Sequence, residues 1–175
     1  MKNVMRKKAV LMMALAFAAF GVLAQHDHAG HGKQSGGQQM DPMFKDEAMS
    51  KAYGHYIHLK EALVASQPEE AKGAADKLQK SLASLENTKS AQAEAGKVAS
   101  ASTLDEQRKA FAVLSNEMTT LVKASTLSMG EIYLEYCPMA NGNTGAFWLS
   151  NEKEIKNPYF GDKMLKCGSV KETIN

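Results

Sequence analysis

The signatures of the common hydrolases and nucleotide enzymes are missing from this chain. It has no glycine-rich phosphate loop, no Gly-x-Ser-x-Gly elbow and no His-Glu-x-x-His pair, so the chemistries that need those spacings have no foothold. Cysteine is scarce: Cys137 and Cys167 are the only two, and they are too far apart for the Cys-x-x-Cys spacing of a thiol reductase. A thiol nucleophile formed by Cys137 with His55 or His58 would need a proximity that nothing in the sequence provides. There is no clustered basic face of the kind nucleic-acid binding requires, only one tryptophan, and no internal repeat. The chain reads as a binding or interaction protein, not an enzyme.

What is present begins with a leader. Lys2, Arg6, Lys7 and Lys8 precede an apolar run from Ala9 to Leu23. That run is short for a membrane span, and Val22 and Ala24 match the small-residue pattern of a cleavage site. Residues 1–24 are therefore expected to be a signal peptide, with an uncleaved anchor as the alternative. No cysteine lies near the junction to carry a lipid. The basic n-region points to a bacterial periplasmic destination and to no membrane insertion after cleavage. The precursor carries 21 Lys and Arg against 19 Asp and Glu. Four of the basic residues lie in the leader, so the mature chain is slightly acidic.

Residues 25–43 lack apolar periodicity and are rich in Gly, Gln and His, and so are expected to be a disordered tail. His26, His28 and His31 there are candidate ligands for Cu(II) or Zn(II). Residues 44–175 form the expected single domain. Met49, Ala52, Tyr53, Tyr56, Leu59 and Leu63 recur at helical spacing. Ser66 and Glu69 around Pro68, and Thr103 and Glu106, each have the form of a capping box opening a further helix. The first leads to Ala71, Ala74, Ala75, Leu78, Leu82 and Leu85. The second leads to Leu104, Gln107, Phe111, Leu114, Met118, Leu121 and Ser125. Asn87-Thr88 is a possible break, and the Ala-rich stretch 89–100 either extends the helix or forms a loose connection. The expected fold is mainly α: an antiparallel three- to four-helix bundle with an irregular C-terminal cap. Within that cap, residues 131–136 and 145–150 read as extended, and Asn141-Gly142-Asn143 as a turn.

The cap holds the chemistry. Cys137-Pro138-Met139 offers a thiol and a thioether two residues apart, which an extended chain would point to one side. Met164-Leu165-Lys166-Cys167 offers the same pair across a turn. Four soft sulfurs select soft cations, Cu(I) first among biological ones. The competing reading joins Cys137 to Cys167 in a disulfide, with Met139 and Met164 as core filler; a pair that opens when metal binds is a third. His55 and His58, three apart on the first helix, are a further candidate metal pair.

The run 133–174, YLEYCPMANGNTGAFWLSNEKEIKNPYFGDKMLKCGSVKETI, resembles the C-terminal signature of a bacterial domain-of-unknown-function family, number 3347. HYIHLKEALV (55–64) and EQRKAFAVLS (106–115) resemble two helical signatures of the same family. The resemblance implies a helical periplasmic domain in a metal-linked setting, a companion of heavy-metal efflux adaptors or pumps. YCPM at 136–139 is also similar to a motif of small heavy-metal-binding modules, although those modules continue with His where this chain has Ala140. The resemblance favours the metal role of Cys137, Met139, Met164 and Cys167. It gives Trp148, Asn157, Tyr159 and Gly161 structural roles. The expected function is periplasmic capture of copper, as Cu(I), for buffering or delivery to an efflux system. The alternative is a disulfide-stapled helical interaction module of the envelope with no metal role.

Overall fold

The computed structural model describes residues 40–175. The leader at 1–24 and His26, His28 and His31 lie outside the described residues.

Four helices form the larger part: α1 (Glu47–Val64), α2 (Pro68–Leu82), α3 (Lys89–Ser100) and α4 (Leu104–Ala124). Each packs chiefly on the next in sequence, as short connections dictate. Their apolar stripes supply most of the core. Met49, Ala52, Tyr53, Tyr56, Leu59 and Leu63 of α1 are all buried, as are Phe111, Leu114 and Met118 of α4. The Ala-rich stretch is a helix in its own right, burying Ala91, Ala95 and Val98. It is separated from α2 by a loop in which Asn87 takes a positive φ. There the Thr88 hydroxyl donates to the Leu82 carbonyl at 2.7 Å.

The two expected capping boxes fare differently. At α4, Thr103 Oγ1 accepts from Glu106 N, and Glu106 Oε2 accepts from Thr103 N, both at 3.2 Å. At α2 the box does not form. The N-cap is Gln67, Pro68 starts the helix, and Ser66 is held at φ +55. Its hydroxyl is drawn away by Arg108 Nη2 at 3.0 Å, a long-range bond that outcompetes the local one.

The C-terminal region is more regular than an irregular cap. Strands β3 (Ile132–Cys137), β4 (Ala146–Ser150) and β5 (Ser169–Ile174) form an antiparallel sheet in the order β4-β3-β5. The extended segments expected from sequence are β3 and β4, joined through a turn at 140–143 where Asn141 and Gly142 have positive φ. Strand β5 has no sequence signal: SVKETI is mostly exposed and polar, and only pairing with β3 makes it a strand. A second, two-stranded ribbon joins β1 (Met43–Phe44) to β2 (Leu127–Met129). Met43 thus pairs with the domain rather than closing the tail.

Side chains from the helices tie this sheet down. Tyr56 Oη lies 2.9 Å from Ser115 Oγ and accepts from Leu149 N at 3.0 Å, linking α1, α4 and β4. Tyr53 donates to Asn151 Oδ1 at 2.8 Å. Six rings run in contact through the core, from Phe44 through Tyr53, Tyr56, Phe111 and Tyr159 to Trp148, with centroid steps of 5.4–6.2 Å. No helix among the described residues is long and apolar enough to cross a membrane.

Candidate functional site

Strand β3 ends at Cys137, where its last residue pairs with Ala146 of β4. Pro138 and Met139 then leave the strand, and Met139 adopts helical dihedrals. The Cys-x-Met pair is therefore not extended. Cys137 is fully buried while Met139 stands in solvent.

The second pair arrives on a loop organised by one buried amide. Asn157 Nδ2 donates to the Cys167 carbonyl at 2.7 Å, and Asn157 Oδ1 accepts from Tyr159 N at 2.8 Å. Its own N–H donates to the Leu165 carbonyl at 2.8 Å. After the 3₁₀ turn Gly161–Lys163, Cys167 N donates to the Met164 carbonyl at 3.0 Å. This is the expected turn that brings the ends of Met-x-x-Cys together. Gly161 is required here. At φ +55, a Cβ would lie 2.8 Å from both Ser66 Oγ and the Val64 carbonyl, and the αL conformation adds strain for any other residue. Arg108 completes the clamp, donating to the carbonyls of Pro158 at 2.9 Å and Leu63 at 3.1 Å.

The result brings the sulfurs into two sets. Cys137 and Cys167 are free thiols with Sγ atoms 2.7 Å apart. Met139 and Met164 line one pocket of about 390 Å³, together with Tyr159, Phe160, Asp105 and Arg108 among others. Neither cysteine contributes to its lining. The hydrogen bond to Cys137, with burial and the charge of a Cys137 thiolate adding to it, raises the pKa of Cys167. Cys167, pushed up to about 11, therefore keeps its proton at neutral pH. Two cysteine sulfurs this close are placed for joining by two-electron oxidation; to share one soft cation they would have to separate, because two sulfurs bonded to one metal ion stand farther apart than this.

His55 and His58 both lie on α1. His58 Nε2 contacts Glu70 Oε1 at 2.7 Å. Burial, and then Lys51, Lys77 and His58, lower the pKa of His55. No group of three or more His, Cys, Asp or Glu side chains that could hold a metal ion occurs among the described residues. The sulfur sets include thioethers and fall outside that donor class. Trp148, Asn157, Tyr159 and Gly161 have the structural parts expected of them. Trp148 packs edge-on to Tyr159 at 5.9 Å, and Tyr159 donates to the Phe147 carbonyl at 2.6 Å.

Sequence reasoning passed over Glu135. It is fully buried in β3, opposite Trp148 of β4. The Trp148 Nε1–H approaches the Glu135 carboxylate, but neither carboxylate oxygen nor Trp148 Nε1 makes a well-formed hydrogen bond. Burial pushes its pKa up to about 8, partly offset by Lys60 and by the Trp148 N–H, with Glu152 and Glu61 pushing the same way as burial. Lys60 is itself only 1% exposed and pairs with Glu61 at 2.5 Å. Nothing in an aromatic, β-branched run marks one carboxylate as buried, because β3 is covered on both faces.

A mainly helical domain with a small sheet that presents paired sulfurs is the class these features define. Residues 52–130 match the model of a family described as a protein of unknown function, DUF3347. The match bears out the resemblance across the helices and ends before the C-terminal run on which the resemblance also rested. No curated protein and no solved structure matches the chain.

Proposed function

We propose that this is a soft-metal carrier that captures Cu(I) in the periplasm and buffers it or hands it to a cation-efflux adaptor or pump. The observation that carries the reading is the convergence of two sulfur pairs from distant segments. Cys137 meets Cys167 at 2.7 Å, and Met139 shares a pocket with Met164. Exposed Met139 offers a neutral, exchangeable first ligand, and the thiols of buried Cys137 and half-buried Cys167 offer the tighter, charged ones. Cu(I) binding must expel thiol protons, so affinity falls as pH drops.

The test is a titration of the mature full-length chain with Cu(I) against a competing chelator. Cys137→Ser should remove most of the affinity, and deletion of residues 25–36 should leave it nearly intact. Equal affinity in the Cys137→Ser protein would overturn the proposal. The sulfur contact also favours a second reading, a disulfide-stapled interaction module. That reading requires exported protein with no free thiols and a melting temperature indifferent to Cu(I).

A further inference from the structure

Four of the five large apolar side chains exposed among the described residues are methionines: Met40, Met43, Met129 and Met139. Met139 belongs to the pocket described above. The other three gather on the β1–β2 ribbon. Met43 and Met129 are register partners across it. Directly opposed residues of an antiparallel pair project from the same face, with Cβ atoms roughly 4.5–5.5 Å apart. Both residues are exposed, at 48% and 43%. Met40, 60% exposed, joins them because the chain at 40–42 crosses directly over Gly130. A Cβ on Gly130, which has φ +77, would lie 2.7 Å from Pro42 Cα and 2.8 Å from the Met40 carbonyl.

The backbone of this ribbon is fixed in advance. Lys45 N donates to the Thr126 carbonyl at 3.0 Å, and Ser128 Oγ donates to the Met43 carbonyl at 3.2 Å. Phe44, next to Met43, is buried against Tyr53, so the ribbon's anchor is apolar and its outward arms are thioethers. A two-stranded ribbon this short is marginal by itself. Thioethers are neutral, soft and unprotonated, a donor set suited to Cu(I) or Ag(I) and poorly suited to Zn(II) or Mg(II).

We propose that Met43 and Met129, with Met40 as a third arm, form a thioether site for a monovalent soft cation, separate from the cysteine pair. The site extends the soft-metal reading without using the thiols, and its chemistry differs from theirs. No proton competes for a thioether, so it stays competent in acid where thiols and imidazoles are protonated. Neutral ligands also release their ion readily, which suits first capture.

The test uses the wild-type mature chain carrying labelled methionine methyls, titrated with Ag(I) nitrate in chloride-free buffer at about pH 5, below the ordinary histidine pKa. Met43→Leu and Met129→Leu assign the two resonances. The expected result is that the Met43 and Met129 methyls shift together and saturate, and that Met43→Leu abolishes the shift at Met129. The inference is overturned if neither methyl moves, or if one moves without the other. It is also overturned if only the Met139 and Met164 methyls respond, which would leave the proposed function standing. Loss of those two responses with the ribbon pair retained would do the reverse.

Discussion

The helices and the C-terminal region are held together by different means. Ion pairs within α2, Lys72 with Glu69 and Lys80 with Asp76, are solvent-facing and local. Pairs of this kind contribute little, and the helices rest on their apolar stripes. The region after Met129 depends instead on single buried polar side chains and special backbone positions. Asn157, Tyr56, Tyr159 and Arg108 each bond across 10 or more positions in sequence, apart from the short Asn157–Tyr159 contact. A stripe tolerates exchange of one apolar residue for another. A buried amide that serves two backbone groups does not. The scaffold should therefore drift freely in sequence while the sulfur-bearing region should not.

Three substitutions probe that contrast. Phe111→Ala removes the α4 ring that stacks on Tyr56 and meets Tyr159, where the two regions join. It should cost about 3–5 kcal/mol in urea denaturation. Asn157→Ala leaves the Tyr159 N–H and the Cys167 carbonyl without their partner. A loss of about 2–4 kcal/mol is expected, together with weaker Cu(I) binding in chelator competition, because the loop bearing Met164 and Cys167 loses its brace. Thr103→Ala breaks the α4 capping box and should cost only about 1 kcal/mol without changing Cu(I) affinity. A comparable loss of metal affinity in Thr103→Ala and Asn157→Ala would erase the distinction between scaffold and site.

Glu135 sharpens the comparison through pH. Its folded pKa of about 8 lies above the ordinary value of 4.5. Below the ordinary value both states are protonated and stability is at its plateau. Between the two values the folded state keeps a proton that the unfolded state has lost. Stability of the metal-free protein therefore falls as pH rises through this window, by at most about 1.4 kcal/mol per pH unit. Glu135→Gln, neutral at every pH, should flatten that decline and stabilise the protein at alkaline pH. Chemical denaturation across the window measures it, and an unchanged slope would mean that another group carries the effect.

The helical scaffold was legible in the sequence because its information is periodic. The stripe Tyr53, Tyr56, Leu59, Leu63 and the Thr103–Glu106 box say where helices run without reference to the rest of the fold. The Ser66–Glu69 box has the same pattern and misleads, because Arg108, 42 residues away, claims the serine. Strand β5 and the β1–β2 ribbon were illegible for the related reason that pairing, not composition, creates them. The sulfurs could be named from their softness and spacing. Their division into a thiol pair and a thioether-lined pocket depends on the chain leaving β3 at Pro138, and on Asn157 bracing the opposite loop. Glu135 could not be found at all, since burial on both faces of a strand leaves no alternation to read.

The central claim is that sulfur from both segments holds the metal. X-ray absorption at the copper edge of the stoichiometric Cu(I) complex of the mature chain tests it most directly. The account predicts a first shell dominated by sulfur that loses sulfur scattering in Cys137→Ser and likewise in Cys167→Ser. A shell dominated by nitrogen, or one unchanged by both substitutions, would contradict it.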